Sequence, residues 1–255
     1  MQSKKYAFSL VELSIVLVIL GLLTGGILAG QSLIRAAELR AVPTEIHNYT
    51  TAVMSFRDKY FALPGDMANA TVFWGPLDGN DGIGSDCGLN QPATGLPTCN
   101  GNGNGLIGGS NVMNPEGARV WQHLANAGLI AGNYTGSHNL PNSGTSYYTL
   151  GVSIPASKYP RTGIALFYRA ATPIYGRVGN AFQLGGVSAT AGNLWEATIR
   201  VDDAYNIDVK MDDGRGDGGK LRGSSCMTAA DSGTSGDYLL DSSTARCMLW
   251  HFNSF

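Results

Sequence analysis

The sequence predicts an α+β molecule. A long N-terminal helix spans a membrane with its first half and packs its second half on an antiparallel β-sheet domain with Gly/Asn-rich loops. Three observations carry this reading. An apolar run from Phe8 to about Leu28 is long enough to cross a bilayer. After Arg35, the residues Leu39, Val42, Ile46, Tyr49, Val53, Phe56 and Tyr60 recur every three or four positions, which is one stripe along a helix. Beyond Tyr60, short branched and aromatic runs alternate with Gly, Pro and Asn, the punctuation of strands and turns.

The elements follow in chain order. Lys4 and Lys5 stand just before the apolar run and predict a cytoplasmic N-terminus. The small-rich stretch Thr24 to Gly30 leaves a cleaved secretory signal as an alternative. Against it stand the helical pattern, which continues past that point, and Glu12, a carboxylate inside the run that is costly unless neutralised. Gly21, Gly25, Gly26 and Gly30 permit close contact between helices in lipid, and each weakens a helix in water by roughly 1 kcal/mol relative to Ala. Pro43 is expected to bend or locally weaken the second half. One helix of about fifty residues is then roughly 75 Å long.

Ala7-Phe8-Ser9-Leu10-Val11-Glu12-Leu13, followed by Ser14 to Gly21, resembles the N-terminus of type IV prepilins and type II secretion pseudopilins. The resemblance covers Phe8 to about Tyr60. It implies a leader over residues 1–7, cleavage between Ala7 and Phe8 by a prepilin peptidase, and N-methylation of Phe8. It further implies a transmembrane and filament-core helix over 8–30, its amphipathic continuation over 31–60, and an extracytoplasmic pilin-like domain over 61–255. In that family the retained glutamate, here Glu12, meets the terminal amine of a neighbouring subunit, here Phe8. A half-made buried ion pair is strongly unfavourable, so the pair would check subunit register. Two positions depart from the family pattern: Ala7 stands where Gly is usual, and Gly21 lies where many major pilins carry a helix-bending Pro. The implied partners are further copies of the chain in a helical filament, an inner-membrane assembly platform with its ATPase, and minor pilins. The implied location is the bacterial inner membrane before assembly and an extracellular pilus or periplasmic pseudopilus afterwards.

In the domain, Phe61 to Gly75 reads as a linker with a turn at Pro64-Gly65. In the Gly- and Asn-rich tract that follows, Asp78, Asn80, Asp81 and Asp86 alternate with glycines as calcium ligands do, although no Glu closes the loop as in an EF-hand. The competing role is a solvated loop tied across Cys87 and Cys99. Asn114-Pro115 starts a short helix with Val120, Trp121, Leu124 and Leu129 on its apolar face, and His123 is placed at its surface or boundary. Tyr147 to Ile154, Gly163 to Ala170 and Tyr175 to Leu184 are strand-like, as is the aromatic tract from Cys247 to Phe252. Ala204 to Met211 reads as a helix that ends in an acidic Gly-rich loop. There Asp212, Asp213 and Asp217, with Asp208, form a second candidate calcium set, while Lys210, Arg215 and Lys220 favour surface pairing instead.

Four cysteines allow three pairings. Local pairing of Cys87 with Cys99 and of Cys226 with Cys247 closes two modest loops and suits an oxidising compartment. The C-terminal pair also resembles the disulfide-bounded adhesive loop of many type IV pilins. A net charge of -2, from 17 basic and 19 acidic residues, offers no surplus for nucleic acid. The four histidines lack metal-ligand spacing, and the Gly-rich segments lack the ending of a phosphate loop. The expectation is therefore a structural subunit rather than an enzyme, with no required cofactor. The alternatives are a secretion pseudopilin and a secreted glycan- or surface-binding module.

Overall fold

The computed structural model describes residues 9–77, 95–108, 115–137, 148–170, 177–188, 194–227, 236–244, 246–253 and 255. Helix α1 runs from Leu10 to Tyr60 without interruption, and Pro43 lies inside it. Proline removes one intrahelical donor at that point, yet the buried stripe on either side of it holds the helix together. Leu39, Val42, Ile46, Val53 and Phe56 are buried in the main core, and Tyr49 and Tyr60 are partly buried against it. The helix ends where Phe61 turns left-handed, at φ 55°, and its N–H reaches the Arg57 carbonyl at 2.8 Å.

The segment after α1 is not a linker. It contains the short helix α2 (Ala70–Trp74) and buries Leu63, Asp66, Met67 and Ala70. Helix α3 (Pro115–Asn126) follows, then strands β1 (Gly163–Arg169), β2 (Gly179–Gly185) and β3 (Ile199–Arg200). Helix α4 (Val201–Met211), β4 (Leu221–Ser224) and β5 (Arg246–Phe252) complete the chain. The sheet is antiparallel throughout: β1 pairs β2, β2 pairs β5, and β5 also pairs β3 and β4. The expected strand from Tyr147 to Ile154 does not form over its described part. Leu150 and Ile154 make one isolated bridge around a turn whose Thr149 carbonyl accepts from Val152 and Ser153.

The second half of α1 shares one core with the sheet, and α3 and α4 are its helical neighbours. Tyr49 meets the Trp121 ring edge-on at 4.9 Å, and Trp121 lies 6.3 Å from Phe182 of β2, so α3 bridges α1 to the sheet. β1 and β2 are buried at almost every position rather than at alternate ones. Both faces of these strands are therefore covered, as their near-continuous apolar sequence requires.

Candidate assembly segment and stalk junction

Ser9 caps α1. Its hydroxyl accepts from the Val11 N–H at 3.3 Å, and the Glu12 carboxylate folds back to accept from the Ser9 N–H at 2.9 Å. This reciprocal box satisfies helix-end donors that have no other partner, and it aims the carboxylate at the start of the helix. Ala7 and Phe8 lie outside the described residues. From Leu10 to Ile34 the large apolar side chains stand exposed, Leu10 at 86% and Leu22 at 72%. The helix is long and apolar enough to cross a membrane, and none of that stretch is buried within the molecule. A Cβ added at Gly21, Gly25, Gly26 or Gly30 would meet nothing within 4 Å. Packing inside the chain therefore does not call for glycine at these four places.

The rod joins the domain at Arg35. Its guanidinium bonds Glu38 at 2.8 Å, the Tyr159 hydroxyl at 2.6 Å and the Asp203 carboxylate at the start of α4, and it lies over the Tyr159 ring at 4.6 Å. Tyr159 donates to Asp203 at 2.9 Å and accepts from the Arg200 N–H at 3.0 Å. Burial disfavours the Arg35 charge, but the bonds to Glu38, Tyr159 and Asp203 outweigh it and hold the guanidinium more firmly protonated than usual. Ten residues on, Glu45 accepts from the Ser157 hydroxyl at 2.6 Å and the Lys158 N–H at 2.9 Å. Two polar ties thus fix α1 to the loop before β1.

The acidic loop after α4 brings together Asp208, Asp212 and Asp213, with carboxylate oxygens within 4.8 Å of one another, a group that could hold a divalent cation. Most of these oxygens already have partners. Asp208 accepts from the Tyr238 hydroxyl at 2.8 Å and the Gly214 N–H at 3.3 Å, and burial pushes its pKa up to about 6. Asp212 accepts from the N–H groups of Lys220 and Leu221, and Asp213 from that of Arg215 at 2.9 Å. Asp217 accepts from the Gly236 N–H at 2.9 Å and lies 3.7 Å from Arg215, the one ion pair of this loop among the described residues. The candidate ligands Asp78, Asn80, Asp81 and Asp86 lie outside the described residues.

Residues 2–28 match a family model described as the prokaryotic N-terminal methylation motif. The N-terminal segment is a prepilin-type methylation motif. No curated protein and no solved structure matched the chain. The match covers the prepilin segment alone, so the domain beyond it has to be read from its own residues.

That domain carries a disulfide between Cys226 and Cys247, with Cα atoms 5.1 Å apart, which joins the end of β4 to β5. Cys99 is also disulfide-bonded, while Cys87 lies outside the described residues. His123 is not at the surface. It is fully buried, accepts from the Gly65 N–H at Nδ1 (2.9 Å), and faces the Thr98 hydroxyl with Nε2 at 3.0 Å. The accepted bond leaves the proton on Nε2, which donates to Thr98, and Thr98 donates to Gln122 at 2.8 Å. Burial first, and then the Arg119 charge, pushes the His123 pKa down to about 3. Gly65 is required here: its φ is +86°, and a Cβ would strike the Glu116 carbonyl. No active site is evident among the described residues.

The junction and this histidine node escaped the sequence reading. Arg35 and Asp203 are far apart in sequence, and a polar residue on a helix buried all round looks the same as one on a wet face.

Proposed function

We propose that the chain is a structural subunit of a type IV pilus-like filament. The observation that carries this reading is the pairing of a prepilin methylation motif with a helix whose first half is bare and apolar and whose second half is built into a folded domain. A helix apolar on every side needs lipid or protein around it, and a filament core of like helices supplies protein. Residues 1–7 would be removed before Phe8, and Phe8 would be methylated. Residues 8–30 would hold the subunit in the inner membrane and then enter the core. Residues 31–60 would carry the domain of residues 61–255 on the outside. The Glu12 carboxylate, which turns toward the helix start, would receive the Phe8 amine of an adjoining copy. The open glycine positions along α1 support close helix approach in such a core. The prepilin peptidase and an assembly ATPase would be separate proteins.

The test is mass analysis of the mature N-terminus together with electron microscopy of material sheared from cells. Methyl-Phe8 in thin surface filaments is the expected result. Methyl-Phe8 in short periplasmic assemblies would make the chain a secretion pseudopilin. A start near Gly30 in a soluble product would overturn the reading.

A further inference from the structure

We propose that the far end of α1 carries a binding site for an uncharged sugar ring, with Phe61 as its stacking platform. The site does not depend on how the chain assembles, since every group in it belongs to one copy. A cavity of about 510 Å³ opens there, and its lining includes Arg57, Tyr60, Phe61, Asp66, Asn69 and Gly105. That volume lies within the range of small-ligand sites.

The outlier is Phe61. It ends α1 in the left-handed region, at φ 55°, and it is 92% exposed. Glycine is the usual residue at such a helix end and asparagine the next, because a Cβ is unfavourable there. The exposed ring also adds nothing to the core. Phenylalanine is thus the wrong residue for the fold on two separate counts, and a strained, bare aromatic points to a contact outside the chain. Tyr60 beside it is a fixed wall. Its ring packs on Phe56 at 4.6 Å and meets Phe73 and Trp74 edge-on at 5.2 Å and 5.5 Å.

The polar groups of the cavity suit hydroxyls. Among the described residues, the Arg57 guanidinium makes no hydrogen bond or ion pair, and the Asn69 carboxamide leaves α2 uncapped and makes none either. A carboxamide both donates and accepts, as a sugar hydroxyl does. Asp66 accepts from the Asn104 and Gly105 N–H groups at 3.1 Å and 2.8 Å, and each of its oxygens keeps a second lone pair. One guanidinium and one carboxylate are the only charged side chains of the lining, so the cavity has no surplus charge to draw an anion. A pyranose combines a rim of hydroxyls with a flat face of C–H bonds, and the electron-rich face of an aromatic ring attracts such C–H groups.

The full chain in phosphatidylcholine nanodiscs provides the test, applied to an array of immobilised neutral and uronate-bearing oligosaccharides. Wild type should be retained on neutral oligosaccharides. Phe61→Gly should weaken that retention about tenfold while holding or raising the melting temperature, because glycine suits the left-handed position. Phe61→Tyr should keep it, and Asn69→Ala should weaken it with the melting temperature unchanged. Failure of every neutral oligosaccharide to retain the chain would overturn the site, as would equal retention of wild type and Phe61→Gly. Retention on uronates alone would overturn the uncharged ligand. Loss of filaments from Phe61→Gly cells with sugar retention intact would overturn the platform and make the ring a contact between copies. The mature N-terminus and the filaments of wild type are read separately, so a failure here leaves the filament reading untouched.

Discussion

At the scale of single residues, two side chains show how burial decides protonation and therefore stability. His123 ordinarily titrates near 6.5 but is held at about 3 in the fold, and His251 is held at about 4, both chiefly by burial. In each case the unfolded chain binds a proton that the folded chain refuses. The stability these groups contribute is present above pH 6.5 and is lost as pH falls toward their folded values, with a slope of up to about 1.4 kcal/mol per pH unit for each. Asp208 acts in the opposite sense. Its folded pKa of about 6 exceeds the ordinary 3.8, so its contribution is present below that ordinary value and is lost as pH rises through 6. Asp66 and Glu116, whose pKa values burial also raises, act with Asp208, but the histidines carry the largest shifts, so acidification gives a net loss. The melting temperature should fall between pH 6.5 and 4, and His123→Gln should flatten that fall while costing about 2–4 kcal/mol at neutral pH. A melting curve independent of pH in wild type would remove the argument. Glu12→Ala belongs to the same scale. It deletes one carboxylate and half of a capping box, worth about 1 kcal/mol to the helix start. Processing and domain folding should persist while filament yield collapses, and sheared-fraction immunoblots beside whole-cell levels would read both.

At the scale of elements, α1 was legible because its two halves write different patterns, apolar on all sides and then on one. The strand cores β1, β2 and β5 were legible from branched and aromatic runs between breakers: β1 starts at Gly163 as expected, β5 starts at Arg246 rather than Cys247, and β2 at Gly179 rather than Tyr175. β3 and β4 were not: Ile199–Arg200 and Leu221–Ser224 carry almost no pattern of their own and become strands because β5 lies alongside. The role of the acidic residues was also hidden. Asp66 and Glu116 accept from the N–H groups of Asn104 and Gly105, and of Asn102 and Gly108, and so stitch residues 102–108 to the core. Backbone donors leave no mark in composition. The loop after α4 uses its carboxylates in the same way, so a cation held there would compete with backbone donors. Calcium or chelator at millimolar concentration should leave the melting temperature within about 1 °C if these bonds hold; a rise of several degrees with calcium would show that the ion displaces them. At the junction, Arg35→Ala and Asp203→Asn should each cost about 1–3 kcal/mol, and the double variant should cost less than their sum. Additive effects on α4 hydrogen exchange would mean that the two residues are not coupled.

At the scale of the molecule, the Cys226–Cys247 bond closes the C-terminal part of the domain on itself across a separation of 21 residues. Replacing both cysteines by serine should lower stability by about 3 kcal/mol, seen as a lower melting temperature with membrane insertion unchanged. That separation of effects follows from the architecture, in which the segment that meets lipid and the segment that holds the domain share one helix but no side-chain packing.

The bare rod from Leu10 to Ile34 has a further consequence. Fifteen large hydrocarbon side chains stand on it with no shelter in their own domain, and each forgoes about 1.5–3 kcal/mol if left in water. No fold-back of the domain offers a refuge, because the clamp at Arg35 holds the two parts end to end. If the chain assembles as proposed above, a subunit leaving the bilayer would have no dissolved waiting state. Departure from lipid and arrival among sister helices would then be a single handover, and the machine that lifts the chain would also be the one that seats it.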